Sequence, residues 1–183
     1  MAGPGTFRVV DGTAVEFSEA KAAWATVARP ALIGIASKYR ETITYKELSE
    51  EIQDATGIRT RMLLQHWIGE VLGSVSQDCH RRGEPLLSAL CVNAEGSVGN
   101  GYAAVIDETH GGPLPADLDM HAAAQRLECC RRFATDVPAD GGSPALTKQE
   151  RDRRRRASPS RPKLGCPNCH LQLPASGVCD TCR

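Results

Sequence analysis

Long apolar runs are absent from this 183-residue chain. No stretch reaches the roughly 18 consecutive apolar residues that a bilayer span needs, so no membrane partner is expected. The opening sequence MAGPGTFRVVDGT lacks the basic start and apolar run of a secretory signal. A cytoplasmic location is expected, where thiols stay reduced. Aromatics are scarce: two Trp, three Tyr and three Phe. All of them precede residue 134, which places the packed domain there, because aromatic side chains carry much of a core's buried area. Net charge is missing too, with 22 Lys+Arg against 22 Asp+Glu. The balance hides an asymmetry. Residues 1–133 hold 13 basic and 17 acidic side chains, a balance of −4, and residues 134–183 hold 9 and 5, a balance of +4. A neutral total therefore does not exclude an anionic partner.

Eight cysteines are present. In a reducing compartment they read as metal ligands or buried thiols before they read as disulfides. Four close the chain in CPNCHLQLPASGVCDTCR: Cys166, Cys169, Cys179 and Cys182 form two Cys-x-x-Cys pairs separated by nine residues. Each pair lets two sulfurs converge about 2.3 Å from one metal, and two such knuckles complete a tetrahedral site. Four ligands leave no open position, so a structural Zn2+ is expected, with iron in a rubredoxin-like site as the alternative. The intervening residues cannot bury a core, so metal–thiolate bonds would stabilise the segment. His170 is not needed as a ligand. The segment looks like the small zinc ribbons that end many prokaryotic nucleic-acid-associated proteins, a likeness that leaves DNA, RNA and protein partners open.

Upstream, FSEAKAAWATVARPALIGIASKYRE is apolar on one side, and Pro30 is expected to break it into two helices. Thr44 and Glu47 match a T-x-x-E capping box, so a helix should begin near Tyr45 and stop at Gly57. Leu63, Leu64, Trp67, Ile68, Val71, Leu72 and Val75 recur at helical spacing and predict a long helix over Thr60–Cys79. Two β-prone runs flank Asn93-Ala94-Glu95-Gly96 and read as a hairpin over Leu86–Val105. A last helix is expected in DLDMHAAAQRLECCRRFA, capped by Asp117 or Asp119. Residues 134–164, rich in Pro, Gly, Ser and Arg, read as a flexible linker.

Helix, helix, then hairpin is the element order of a winged helix. The expected fold class is mainly α with a small β-hairpin, winged-helix-like, plus a small C-terminal zinc ribbon. The boundaries are an extension over 1–14, the winged-helix-like domain over 15–133, a basic linker over 134–164 and the ribbon over 165–183. ITYKELS, WIGEVL and NAEGSVGNGY carry a resemblance, over about residues 42–102, to the DNA-binding domain of O6-alkylguanine-DNA alkyltransferases and alkyltransferase-like proteins. That resemblance implies duplex DNA as partner. The family's nucleophile lies in a Pro-Cys-His-Arg segment that falls here on Leu87–Leu90, with Ser88 in the cysteine's place and no His beside it. An unassisted serine hydroxyl is neither soft nor ionised near neutral pH, so alkyl transfer is not expected. The family's helix-borne Arg, which fills the gap left by a flipped base, falls on His66, where a neutral imidazole can do less.

Candidate DNA contacts follow. Arg59 and Arg61 would meet phosphates at the start of the long helix. Gln65 and His66 would read base edges. Asn93, Ser97 and Asn100 would reach DNA from the wing. Arg151, Arg153, Arg154, Arg155 and Arg156 would add affinity by counterion release, or would simply be a solvated linker. Glu70 and Asp78 oppose DNA on the long helix. Cys129-Cys130 reads as structural, since helix neighbours point about 100° apart. Cys79-His80 with His110 or His121 lacks paired metal-ligand spacing, and Asp107-Glu108 near His110 lacks a nucleophile. The expectation is a non-catalytic, DNA-binding regulatory or accessory protein. A protein–protein adapter is the alternative, and an alkyltransferase-type repair enzyme is disfavoured.

Overall fold

Ala20, Trp24, Ala28, Leu32 and Ala36 recur every four residues, and in the computed structural model of the chain they form the buried stripe of one helix. The structure describes residues 5–111 and 113–157 and, near the C-terminus, Cys166, Asn168, Cys169, Cys179 and Cys182. In chain order the elements are β1 (Thr6–Arg8), α1 (Phe17–Ala36), β2 (Ile43–Thr44), α2 (Tyr45–Thr56), β3 (Ile58–Thr60), α3 (Ile68–Arg81), β4 (Cys91–Val92), α4 (Gly101–His110), α5 (Leu118–Phe133) and α6 (Lys148–Ala157). Short 3-10 turns lie at Leu64–His66 and Leu87–Leu90. The protein is mainly helical with a little β structure, as its sequence predicts. It divides into two compact units, Met1–Glu150 and Arg151–Arg183. Among the described residues no helix is long and apolar enough to cross a membrane.

Several elements differ from expectation. Pro30 does not break α1, which runs through it. The carbonyl that proline leaves unpaired belongs to Thr26, on an exposed stretch where water can reach it, while the opposite face is locked in the core. Trp24 anchors that face: its ring lies 4.5 Å from that of Trp67, and its Nε1 donates to the Ile58 carbonyl at 3.1 Å.

The long helix expected from Thr60 begins instead at Ile68. The backbone before it is committed elsewhere. Ile58–Thr60 pairs antiparallel with Thr6–Arg8, Thr60 donates its N–H to Gln53 Oε1, and Arg61 donates to the Gly5 carbonyl. Residues 5–14 are therefore part of the first unit rather than an extension. Their own hairpin closes through Arg8 N–H to Thr13 O and a Phe7–Ala14 bridge.

The hairpin expected over Leu86–Val105 is not formed. Cys91–Val92 does become a strand, but it pairs in parallel with Ile43–Thr44. Its expected partner is α4. Tyr102, Val105 and Ile106 are buried at helical spacing and pack against Leu86, Ala89, Val98 and Ala122 in a second apolar cluster. The small β content thus lies in two two-stranded sheets, and no wing projects from residues 86–105.

The stretch expected as a linker is tied down through residue 150. Asp136 accepts the Tyr39 N–H, Arg131 donates to the Gly141 carbonyl, and Thr147 donates to the Gly96 carbonyl. Residues 158–165 lie outside those described.

The expected start and stop of α2 are both present. Thr44 Oγ1 accepts the Glu47 N–H at 3.2 Å, Glu47 Oε2 accepts the Thr44 N–H at 2.9 Å, and Gly57 ends the helix at φ 63. Thr44→Ala removes this box and should cost about 1–2 kcal/mol. Urea unfolding should show a lower midpoint for Thr44→Ala and a near-native one for Thr44→Ser.

Candidate functional site

Four segments surround a pocket of about 510 Å³ in the first unit. The 3-10 turn and the start of α3 supply Leu64, Gln65, Ile68, Gly69 and Leu72. The loop into α4 and its first turns supply Gly99, Asn100, Gly101, Tyr102 and Val105. Tyr45 and Ser88 complete the lining. A mostly apolar wall with a few convergent polar groups, at this volume, has the character of a ligand site.

The loop on one side of the pocket is held by polar side chains from beneath. Asp119 accepts the Val98 N–H at 2.9 Å and the Ser97 hydroxyl at 2.8 Å. Asn93 Oδ1 accepts the Ser97 N–H at 2.9 Å. Tyr45 OH accepts the Gly99 N–H at 2.8 Å, and burial pushes that phenol up to about 12, so it stays protonated and keeps its own proton to donate. A Cβ at Gly99 would sit 3.2 Å from the Tyr45 oxygen. In the first turn of α4, the Tyr102 hydroxyl lies 3.2 Å from His121 Nδ1, and burial raises its phenol pKa above the ordinary range. Arg126, buried in α5, donates Nη1 to the Ala89 carbonyl at 3.0 Å and so holds the turn that carries Ser88. Burial lowers the pKa of that guanidinium.

Ser88 has no carboxylate, imidazole or lysine beside it in the pocket lining. Its hydroxyl shares a 2.8 Å hydrogen bond with Ser76, whose own oxygen lies 2.8 Å from the Leu72 carbonyl. In that bond Ser76 is the donor and Ser88 the acceptor. None of the lining residues is His, Asp, Glu, Lys or Cys. Cys91 is fully buried, and that burial raises its thiol pKa above the ordinary range, away from the thiolate.

The residues expected to touch DNA are distributed unevenly. Gln65 and Asn100 come together on the pocket wall, Asn100 being exposed. His66 is exposed beside Gln65 but does not line the pocket. Arg59 pairs with Asp54, and the Arg61 guanidinium stacks 4.8 Å over the Phe7 ring. Asn93 and Ser97 are engaged in building the 93–97 turn. Arg151 and Arg153–Arg156 are helical, on α6. The two opposing acids are already balanced: Lys21 pairs with Glu70, and Asp78 pairs with Arg29, Arg81 and Arg82. Sequence reasoning missed Tyr45, Tyr102, Val105 and Asp119 as parts of a site. The helical spacing of Tyr102, Val105 and Ile106 was the available signal.

In the second unit the Sγ atoms of Cys166, Cys169, Cys179 and Cys182 all lie within 4.8 Å of one another. Cys166 and Cys182 are 3.8 Å apart, and Cys169 and Cys179 are 3.5 Å apart. Tetrahedral thiolates about 2.3 Å from one ion would stand about 3.8 Å apart. The set can therefore hold a metal ion. Backbone N–H groups of Cys169 and Asn168 pull the Cys166 thiol down to about 6. No other group of potential metal ligands occurs among the described residues, so Cys79, His80 and His121 form no second centre. His170 and the residues that would form the ribbon's strands lie outside the described residues. No protein-family model matches the chain, and no curated protein or solved structure resembles it significantly.

Native mass spectrometry of the full chain should show one metal ion per polypeptide. Cys179→Ser should lose it, while Cys91→Ser should keep it. A metal-free wild type would contradict the site.

Proposed function

We propose that the chain is a non-catalytic DNA-binding protein, regulatory or accessory in role, whose C-terminal cysteines hold a structural zinc ion. One observation supports this most. Two residues expected to read DNA, Gln65 and Asn100, share the wall of an apolar pocket that contains no group able to activate a nucleophile. The amide side chains can donate to and accept from a base edge. The pocket behind them suits a base turned out of the helix, at an unstacking cost of a few kcal/mol. Likeness to the alkyltransferases adds support, because Ser88, at the position of that family's nucleophile, lines the same pocket, and its hydroxyl accepts a hydrogen bond from Ser76. Such a site binds without reacting.

The helical structure changes how the duplex would be met. Without a wing hairpin, contact falls to the turn before α3 and the loop before α4. The neutralised Glu70 and Asp78 leave less acidity to repel phosphates than the sequence suggests. Zinc fits the donor set better than other ions, since four thiolates in a closed tetrahedral arrangement suit a metal without redox or open-site chemistry. The exposed arginines of α6 contribute sequence-independent affinity.

Fluorescence anisotropy with a labelled duplex at low salt tests the reading. Wild type should bind, and Gln65→Ala and Asn100→Ala should each weaken binding by roughly 1 kcal/mol or more. Incubation with O6-methylguanine DNA should leave the protein mass unchanged. Absence of duplex binding at low salt would remove the DNA reading and favour the adapter, for which exposed Val10 and Leu63 offer apolar contacts.

A further inference from the structure

The eight cysteines fall into two classes. Cys79, Cys91, Cys129 and Cys130 belong to the first unit, and each is at most 2% exposed. Burial pushes the Cys79, Cys91 and Cys129 thiols up, away from the reactive thiolate. The other four close the chain, and their exposure is graded. Cys166 is buried, Cys169 and Cys179 are half-buried, and Cys182 is exposed. A bound metal keeps these four sulfurs as thiolates, the form that attacks an oxidant. The second class therefore combines reactivity with access from solvent.

The geometry gives every sulfur a partner. Cys182 Sγ lies 3.8 Å from Cys166 Sγ, and Cys169 Sγ lies 3.5 Å from Cys179 Sγ. These two approaches use each sulfur once. Both run between the two Cys-x-x-Cys pairs rather than within one. A sulfur oxidised on one side of either approach has its resolving thiolate already beside it. The segment around them also depends on the metal. Residues 166–183 contain no aromatic side chain, and their large apolar residues are Leu171, Leu173 and Val178. So short a segment cannot bury a core, and metal binding is its folding free energy. Oxidation of the sulfurs would therefore remove the fold as well as the ion.

We propose that the four-cysteine site is a peroxide-sensitive switch, in which hydrogen peroxide converts it to two disulfides, Cys166–Cys182 and Cys169–Cys179, and the metal is released. The proposal rests on the structural zinc reading above. The Cys182 thiolate attacks the peroxide O–O bond. A sulfenic acid forms, and the hydroxide that leaves takes a proton from solvent to become water. The Cys166 thiolate then attacks the sulfenic sulfur. The S–S bond forms, and a second hydroxide leaves and is protonated in the same way. Two electrons have passed from the sulfur pair to the peroxide, which ends as two waters. A second peroxide oxidises Cys169 and Cys179 by the same steps. All the electrons come from sulfur, because zinc has no redox chemistry of its own. Disulfide sulfurs no longer carry the charge that holds the ion.

The test treats the zinc-loaded full chain with hydrogen peroxide. Released zinc is read with a chromophoric chelator, and the polypeptide by denaturing mass spectrometry. One zinc ion should leave per chain, and the chain should lose four hydrogens. Residues 164–183 form a single tryptic peptide, whose fragmentation should place the bridges at Cys166–Cys182 and Cys169–Cys179. Cys91→Ser should respond as wild type. A thiol reductant with Zn2+ should restore both the mass and the metal, which separates the switch from irreversible sulfinic acid. Zinc retained in excess peroxide, bridges confined within the Cys-x-x-Cys pairs, or sulfinic acids without disulfides would overturn this proposal and leave the metal site standing. A chain that carries no metal before peroxide is added would overturn the metal reading and this proposal together.

Discussion

One buried carboxylate sets the shape of the site. Asp119 is almost wholly withdrawn from water, and a charge so placed is tolerable only when hydrogen bonds replace its hydration. It finds them on the 93–98 loop, in the Ser97 hydroxyl and the Val98 N–H. The loop is thereby pinned to α5. Tyr45 completes the fixation from the other side by accepting the Gly99 N–H. Everything that follows in the chain, from Asn100 on the pocket wall to the start of α4, takes its position from that fixed loop. So does the Gly96 carbonyl, which accepts the Thr147 hydroxyl. Helix α5 can spare Asp119 for this task because Asp117, two residues earlier, caps the helix by accepting the Met120 N–H.

Much of this was legible in the sequence where a local rule decides the outcome. The Thr44–Glu47 box and Gly57 mark both ends of α2, and they do so because capping depends only on residues within one turn. The Cys-x-x-Cys pairs converge as their spacing requires. The sequence misled where a tertiary partner outweighs a local signal. Pro30 reads as a break, but its missing N–H faces solvent while five other positions of α1 stay locked in the core. Residues 58–61 read as helical, yet their backbone donors are claimed by the N-terminal strand and Gln53. The run after Gly99 reads as a strand because its glycines obscure the spacing of Tyr102, Val105 and Ile106. Composition marked 134–150 as flexible, although a few polar contacts from distant residues fix it.

The same division applies to the site. Gln65 and Asn100 could be named from the sequence as polar residues near a turn. That they share a pocket with Tyr45 and Ser88 depends on the packing of four separate segments, which no local pattern encodes. Chemistry was easier to exclude than to assign. Ser88 lacks an assisting His in the sequence, and in the fold its hydroxyl accepts a hydrogen bond from Ser76. Both observations support the proposed non-catalytic reading. A metal held by the four cysteines would have its tetrahedral shell filled by thiolates, with no place left for a substrate.

The central claim is that the pocket face, formed by the turn before α3 and the loop before α4, meets DNA. Amide chemical-shift mapping of the metal-loaded protein against an unlabelled duplex tests it most directly. The account predicts shifts concentrated at Gln65, Gly99, Asn100 and Gly101, with the α1 amides near Thr26 and Pro30 unmoved. Shifts centred away from the pocket, with those four amides unchanged at saturating DNA, would contradict it.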